Sequence, residues 1–114
     1  MADILQTIVA RKREEVAARK RLVPAGQLAD GLSAAGAVRS MRKALAGSES
    51  GIITEFKRRS PSKGWIRRGA RPEEVVPAYE RAGASALSVL TDGEFFGGSA
   101  GDLRVARASC ALPV

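Results

Sequence analysis

The chain has 114 residues, and 19 Lys+Arg against 12 Asp+Glu with no His give a formal charge of +7, which bounds it to one modest basic domain. Without histidine it holds no Ser-His-Asp triad, no His-bound zinc and no imidazole acid or base, so proton transfer falls to carboxylates, lysines or water. The single cysteine, Cys110, excludes an internal disulfide and a thiolate zinc cluster, fits a reducing compartment and reads as a small core residue.

The opening residues lack the basic region, apolar core and small-residue cleavage site of a signal peptide. No run approaches the roughly 18 apolar residues of a membrane span, so a cytoplasmic chain with no membrane partner is expected. Hydrophobic residues make up 45% but aromatics only 4%, so Leu, Val, Ile and Ala must fill the core.

Taken in order, residues 3–21 carry Ile4, Leu5, Ile8, Val9 and Val16 at helical spacing and leave Arg11, Lys12, Arg13, Glu14 and Glu15 solvated, which predicts an amphipathic helix. Asp3 is its N-cap, with Gln6 three residues on in a capping-box arrangement. An Ala/Gly-rich connection follows, then a weaker helical stretch over 38–45 and a Gly/Ser loop over 47–51.

Residues 52–57 are β-branched and aromatic after that loop and predict a strand. Alternation puts Ile53, Glu55 and Lys57 on one face and Ile52, Thr54 and Phe56 on the other. One face thus carries an acid and a base, which is costly unless the two pair or meet a charged ligand. Such a pair is either an active constellation or a structural ion pair on a wet face.

Residues 57–71 form a loop with seven basic residues and one tryptophan, Trp65. On composition it fits either a solvated loop or a polyanion-binding segment, though one Trp makes no stacking series. Pro72-Glu73-Glu74 then opens a helix reaching Gly83, with proline at a first helical position and acids at the positive end of the dipole. Pro77 inside it should remove one backbone bond and bend the helix, or mark its true start.

Residues 86–91 predict a second strand whose near-continuous apolar character suits a sheet covered on both faces. A loop over 92–98 holds Phe95 and Phe96 at its centre. Its glycines before a capped helix are a weak anion-binding signal, and either phenylalanine is a staple under the loop or the wall of an aromatic pocket. Ser99 caps a helix through about residue 109, and residues 111–114 look like the approach to a third strand. Strand, helix, strand, helix, strand start is the order of a parallel sheet with helical crossovers. Two strands complete no such sheet, so the expected chain is the front of something larger or depends on a partner.

Residues 52–64, which read IITEFKRRSPSKG, closely resemble the first-strand signature of the indole-3-glycerol phosphate synthase family. Residues 83–92, GASALSVLTD, followed by FFGGS at 95–99, are similar to its second strand and following loop. The segment from Ile4 through Val16 is similar to its N-terminal helical extension.

The resemblance implies an α/β fold: the N-terminal portion of a (β/α)₈ TIM barrel, with residues 1–50 as a helical extension and 51–114 as the first two β/α units and the start of a third strand. It implies ring closure of 1-(2-carboxyphenylamino)-1-deoxyribulose 5-phosphate to indole-3-glycerol phosphate with loss of carbon dioxide and water, a step of tryptophan biosynthesis. The implied partner is that small sugar phosphate carrying an anthranilate group. No cofactor, metal or nucleic acid is implied, and oligomeric state is left open.

By matching position, Glu55 is the first-strand glutamate, a candidate for proton transfer. Lys57 is the first-strand lysine, which contacts the anionic substrate and polarises or protonates its ribulose oxygens. Ser60 with Pro61 matches the loop serine near the anthranilate carboxylate, and Phe96 the phenylalanine beside its ring. Arg59 and Pro77 depart from the pattern, standing where smaller or helix-compatible residues are expected. The family's third-strand general-acid lysine and its phosphate site lie beyond Val114, so the 114-residue chain alone is expected to be inactive. The competing reading is a non-catalytic basic half-barrel that binds an anion or a nucleic acid.

Overall fold

In the computed structural model, residues 3–34 and 36–114 are described. The chain divides into two compact units, Met1–Ala37 and Val38–Val114.

In the first unit, α1 spans Ile4–Leu22, and the Asp3 carboxylate accepts from the Leu5 N–H at its start. This satisfies one of the donors that a helix N-terminus leaves without an intrahelical partner. Lys12 pairs with Glu15 at 2.6 Å and Arg11 with Glu14 at 3.0 Å, the i,i+3 geometry that steadies a helix surface. None of the described residues of α1 is buried. The Ala/Gly-rich connection after it holds two short elements that the sequence reading did not name: α2 over Ala25–Asp30 and a 3₁₀ turn over Leu32–Ala34. Pro24 sets this up, its φ of −61° holding the chain while its carbonyl accepts from Gln27 and Leu28.

In the second unit, α3 spans Met41–Gly47, displaced from the expected 38–45 because Ser40 caps it, its hydroxyl accepting from the Lys43 N–H at 3.1 Å. Strand β1 is Ile53–Phe56 and β4 is Ala86–Val89; they pair in parallel with Ile53 opposite Ala86 and Glu55 opposite Ser88. Both are shorter than the expected 52–57 and 86–91, because the ladder closes with Ser85 N–H to the Ile52 carbonyl and Leu90 N–H to the Phe56 carbonyl. Beyond β4, the Leu87 N–H donates to the Pro113 carbonyl at 2.9 Å, a first bond to the segment expected to approach a third strand.

The basic loop is not irregular throughout. Residues Arg59–Ser60 (β2) and Gly64–Trp65 (β3) pair antiparallel as a small hairpin, Gly64 supplying the turn at φ +65°. Helix α4 runs Pro72–Arg81 with Pro77 inside it. The helix therefore starts at Pro72, and the donor Pro77 lacks costs a bond only to the carbonyl of Glu73, an exposed first-turn residue that water can reach. Helix α5 is Ala100–Ser109, with the Ser99 hydroxyl accepting from Asp102 N–H at 3.0 Å.

The core is aliphatic, as composition required. Val76 of α4, Leu87 of β4 and Ala106 of α5 are fully buried, with Tyr79, Val89, Cys110 and Val114 packed around them. Because side chains alternate along a strand, Leu87 and Phe56, the latter 3% exposed, turn toward the helices. Ile53, Glu55 and Ser88 turn to the opposite face. That face is open within the unit, Ile53 being 52% exposed, where the sequence suggested a sheet covered on both sides. No described helix is long and apolar enough to cross a membrane.

Candidate functional site

Strand alternation brings Glu55 and Lys57 together on the open face of β1, where the Lys57 Nζ lies 3.1 Å from the Glu55 Oε1. The second carboxylate oxygen, Oε2, accepts from the Ser88 hydroxyl at 2.9 Å, across the strand pair. Partial burial pushes the Glu55 carboxyl up, but the hydrogen bonds from Lys57 and Ser88 and the Lys57 charge outweigh it and hold the group below its ordinary value. Glu55 is thus a carboxylate held ionised beside an ammonium at neutral pH. Its side chain is 42% exposed and that of Lys57 34%, so a ligand on this face can reach both.

Two loops leave the carboxyl ends of these parallel strands, the position where open α/β sheets build their sites. After β1 comes the hairpin that carries Ser60 and Pro61. Ser60 is 8% exposed, and its hydroxyl accepts from the Lys63 N–H at 3.1 Å and lies 3.4 Å from the Ser62 hydroxyl. It shapes the turn and makes no hydrogen bond to Glu55 or Lys57. Pro61 is exposed at the turn. After β4 comes the loop with Phe96, half-buried, whose N–H donates to the Asp92 carboxylate at 3.2 Å beside that of Phe95 at 2.7 Å.

The two loops are tied together by Arg58. Its Nε donates to the Ala70 carbonyl at 2.8 Å, one terminal nitrogen to the Gly97 carbonyl at 3.1 Å, and the fork closes on the Asp102 carboxylate. Its guanidinium also lies 5.0 Å from the centre of the Phe56 ring. The Asp102 carboxylate raises Arg58 above the ordinary arginine value. Arg59, the residue that departs from the expected small side chain, is accommodated by donating to the Glu94 carbonyl at 2.7 Å and lying over Trp65, with Arg68 over the same ring. The arrangement leaves the buried Arg59 Nε without a partner.

Sequence reasoning did not single out Ser88, Arg58 or Asp102 for the site. Ser88 did leave a signal, being the one hydroxyl within Ala86–Val89. Arg58 was counted as one of seven loop cations, and the structure removes most of them from an open polyanion track: Lys57, Arg58 and Arg71 pair with carboxylates, and Arg59 binds a carbonyl. A cavity of about 460 Å³ lies elsewhere, along Val16, Lys20, Leu22 and Leu28. It has no acid to set against its bases, so the chemistry rather than the volume picks out the β1 face.

The sequence profile of the indole-3-glycerol phosphate synthase family matches residues 5–114. The chain is 58% identical to an indole-3-glycerol phosphate synthase of Bacteroides thetaiotaomicron, covering all of this chain and 44% of that protein. Enzymes of the same name from Leptothrix cholodnii and Aromatoleum aromaticum are 48% and 45% identical over 118 aligned positions, with 45% of each covered. The chain therefore spans less than half the length of these curated relatives.

Proposed function

The chain belongs to the indole-3-glycerol phosphate synthase family, and from that premise we propose that it supplies the first-strand part of an active site that closes the indole ring of 1-(2-carboxyphenylamino)-1-deoxyribulose 5-phosphate. In this reading residues 1–50 are the helical extension and 51–114 the first two β/α units of a TIM barrel. The observation that carries it is the Glu55–Lys57 pair, ionised and accessible at the carboxyl end of β1. The Lys57 ammonium faces the ribulose oxygens and stabilises charge that develops on them as the ring closes. Glu55, as a carboxylate, accepts a proton at the reacting centre. Ser60 with Pro61 meets the anthranilate carboxylate, and Phe96 stacks beside its ring, so that the carbonyl carbon and the aromatic carbon are held in contact. The ring then forms with loss of carbon dioxide and water.

A chimera tests this. Residues 1–114 replace the corresponding part of the Bacteroides thetaiotaomicron relative, and indole product is followed by its fluorescence. Turnover that Lys57→Ala lowers by at least about 100-fold supports the reading; a folded chimera without turnover overturns it. The 114-residue polypeptide by itself is expected to give none.

A further inference from the structure

We infer that Ser88 is a positioning residue for Glu55: its hydroxyl, reaching across from β4, fixes the orientation of the carboxylate on the open face of the sheet. The inference rests on the reading above and adds to it a residue from the second strand.

The geometry is specific. Glu55 and Ser88 are register partners in the parallel pair, so their side chains leave the same face at neighbouring points. The Ser88 hydroxyl donates to Oε2 at 2.9 Å while Lys57 holds Oε1 at 3.1 Å. One donor per oxygen removes the freedom of the carboxylate to turn about its terminal bond, which a single ion pair leaves in place. A donor to an ionised oxygen is also stronger than one to a neutral group, and it stabilises the charged form at the expense of the protonated one.

The surroundings isolate this effect. The charged group facing Glu55 is Lys57, from its own strand. Strand β4 contributes the neutral Ser88 hydroxyl, and α4 contributes the Tyr79 hydroxyl, which donates to the Glu55 main-chain carbonyl at 3.2 Å and leaves the carboxylate alone. In Ala86–Val89 Ser88 is the one polar residue among apolar ones, and the bond its hydroxyl makes is the one to Glu55.

Two readouts test the inference separately from the function. In the 114-residue chain, the Glu55 side-chain carboxyl is titrated by carbon-13 NMR. Ser88→Ala is expected to raise its midpoint toward the ordinary value of 4.5, and Ser88→Thr, which keeps the hydroxyl, to leave it low. An unchanged midpoint in a Ser88→Ala chain with an otherwise native spectrum overturns the inference, whatever the enzyme does. In the chimera, Ser88→Ala is expected to lower kcat about tenfold and move the acidic limb of its pH profile upward, with Ser88→Thr restoring both. A chimera inactive before any substitution counts against the proposed reaction only, because the titration still decides the role of Ser88.

Discussion

The guanidinium of Arg58 and the carboxylate of Asp102 meet as a two-pronged pair 44 positions apart in the chain, with their side chains only 18% and 11% exposed. The same arginine binds the carbonyls of Ala70 and Gly97, so one residue clamps the hairpin after β1 to the loop after β4 and the start of α5. Ser60 and Phe96 lie on the two segments so joined. Removing one member of a largely buried pair leaves the other's charge without compensation. Asp102→Asn, which keeps the size and the main-chain bond to Ser99, is therefore expected to lower stability by about 3 kcal/mol in urea unfolding. A change below about 0.5 kcal/mol would show that the clamp behaves as a surface pair.

Gly98 is held against the chain by close approach. A Cβ built there would collide with the carbonyl oxygen of Leu90, and that oxygen belongs to backbone that cannot swing aside. Gly98→Ala should cost about 2 kcal/mol. Because the neighbouring Gly97, at φ +63°, lies against the Trp65 ring, the shift should also show as a change in tryptophan emission. Retained stability with unaltered emission would mean that the loop has room to relax.

The core and the first helix should respond oppositely to truncation. Leu87 is 1% exposed at the centre of the cluster with Val76 and Ala106, and Leu87→Ala should cost about 3 kcal/mol. Leu5 of α1 is 61% exposed, and Leu5→Ala should change the unfolding midpoint by less than about 0.5 kcal/mol equivalent. Equal losses at both positions would place the helix stripe in a buried environment.

Acid should weaken the fold through two carboxylates. Glu55 is held below its ordinary value despite partial burial, by Lys57 and Ser88. Glu73 is held low first by its own main-chain N–H at the open start of α4 and then by Arg71. A folded pKa below the unfolded one means that the unfolded chain takes up protons first as pH drops, so the stabilisation is complete above the unfolded value and is lost as pH falls through the folded one. Urea midpoints should therefore hold steady from about pH 7 to about pH 6 and decline below 4.5, the ordinary value of both groups. Glu55→Gln should flatten part of that decline; an unaltered acid limb would assign the loss to other carboxylates.

Local chemistry determined much of this protein from the sequence by itself. The caps at Asp3 and Ser99, the proline start at Pro72, the β-branched and apolar strand runs and the alternation that puts Glu55 beside Lys57 all depend on neighbours within a few positions. The short helix after Pro24 and the hairpin Arg59–Trp65 were harder to see, since two to six residues give no measurable period. Pairings across the chain were decided only by the tertiary structure. Ser88 faces Glu55 because the parallel register sets them opposite, and Arg58 finds Asp102 because α5, packed on α4 and β4, brings its first turn to the loop after β1. A sequence shows which side chains can donate or accept; the register of a sheet and the packing of its helices select their partners, because those depend on contacts between segments tens of residues apart.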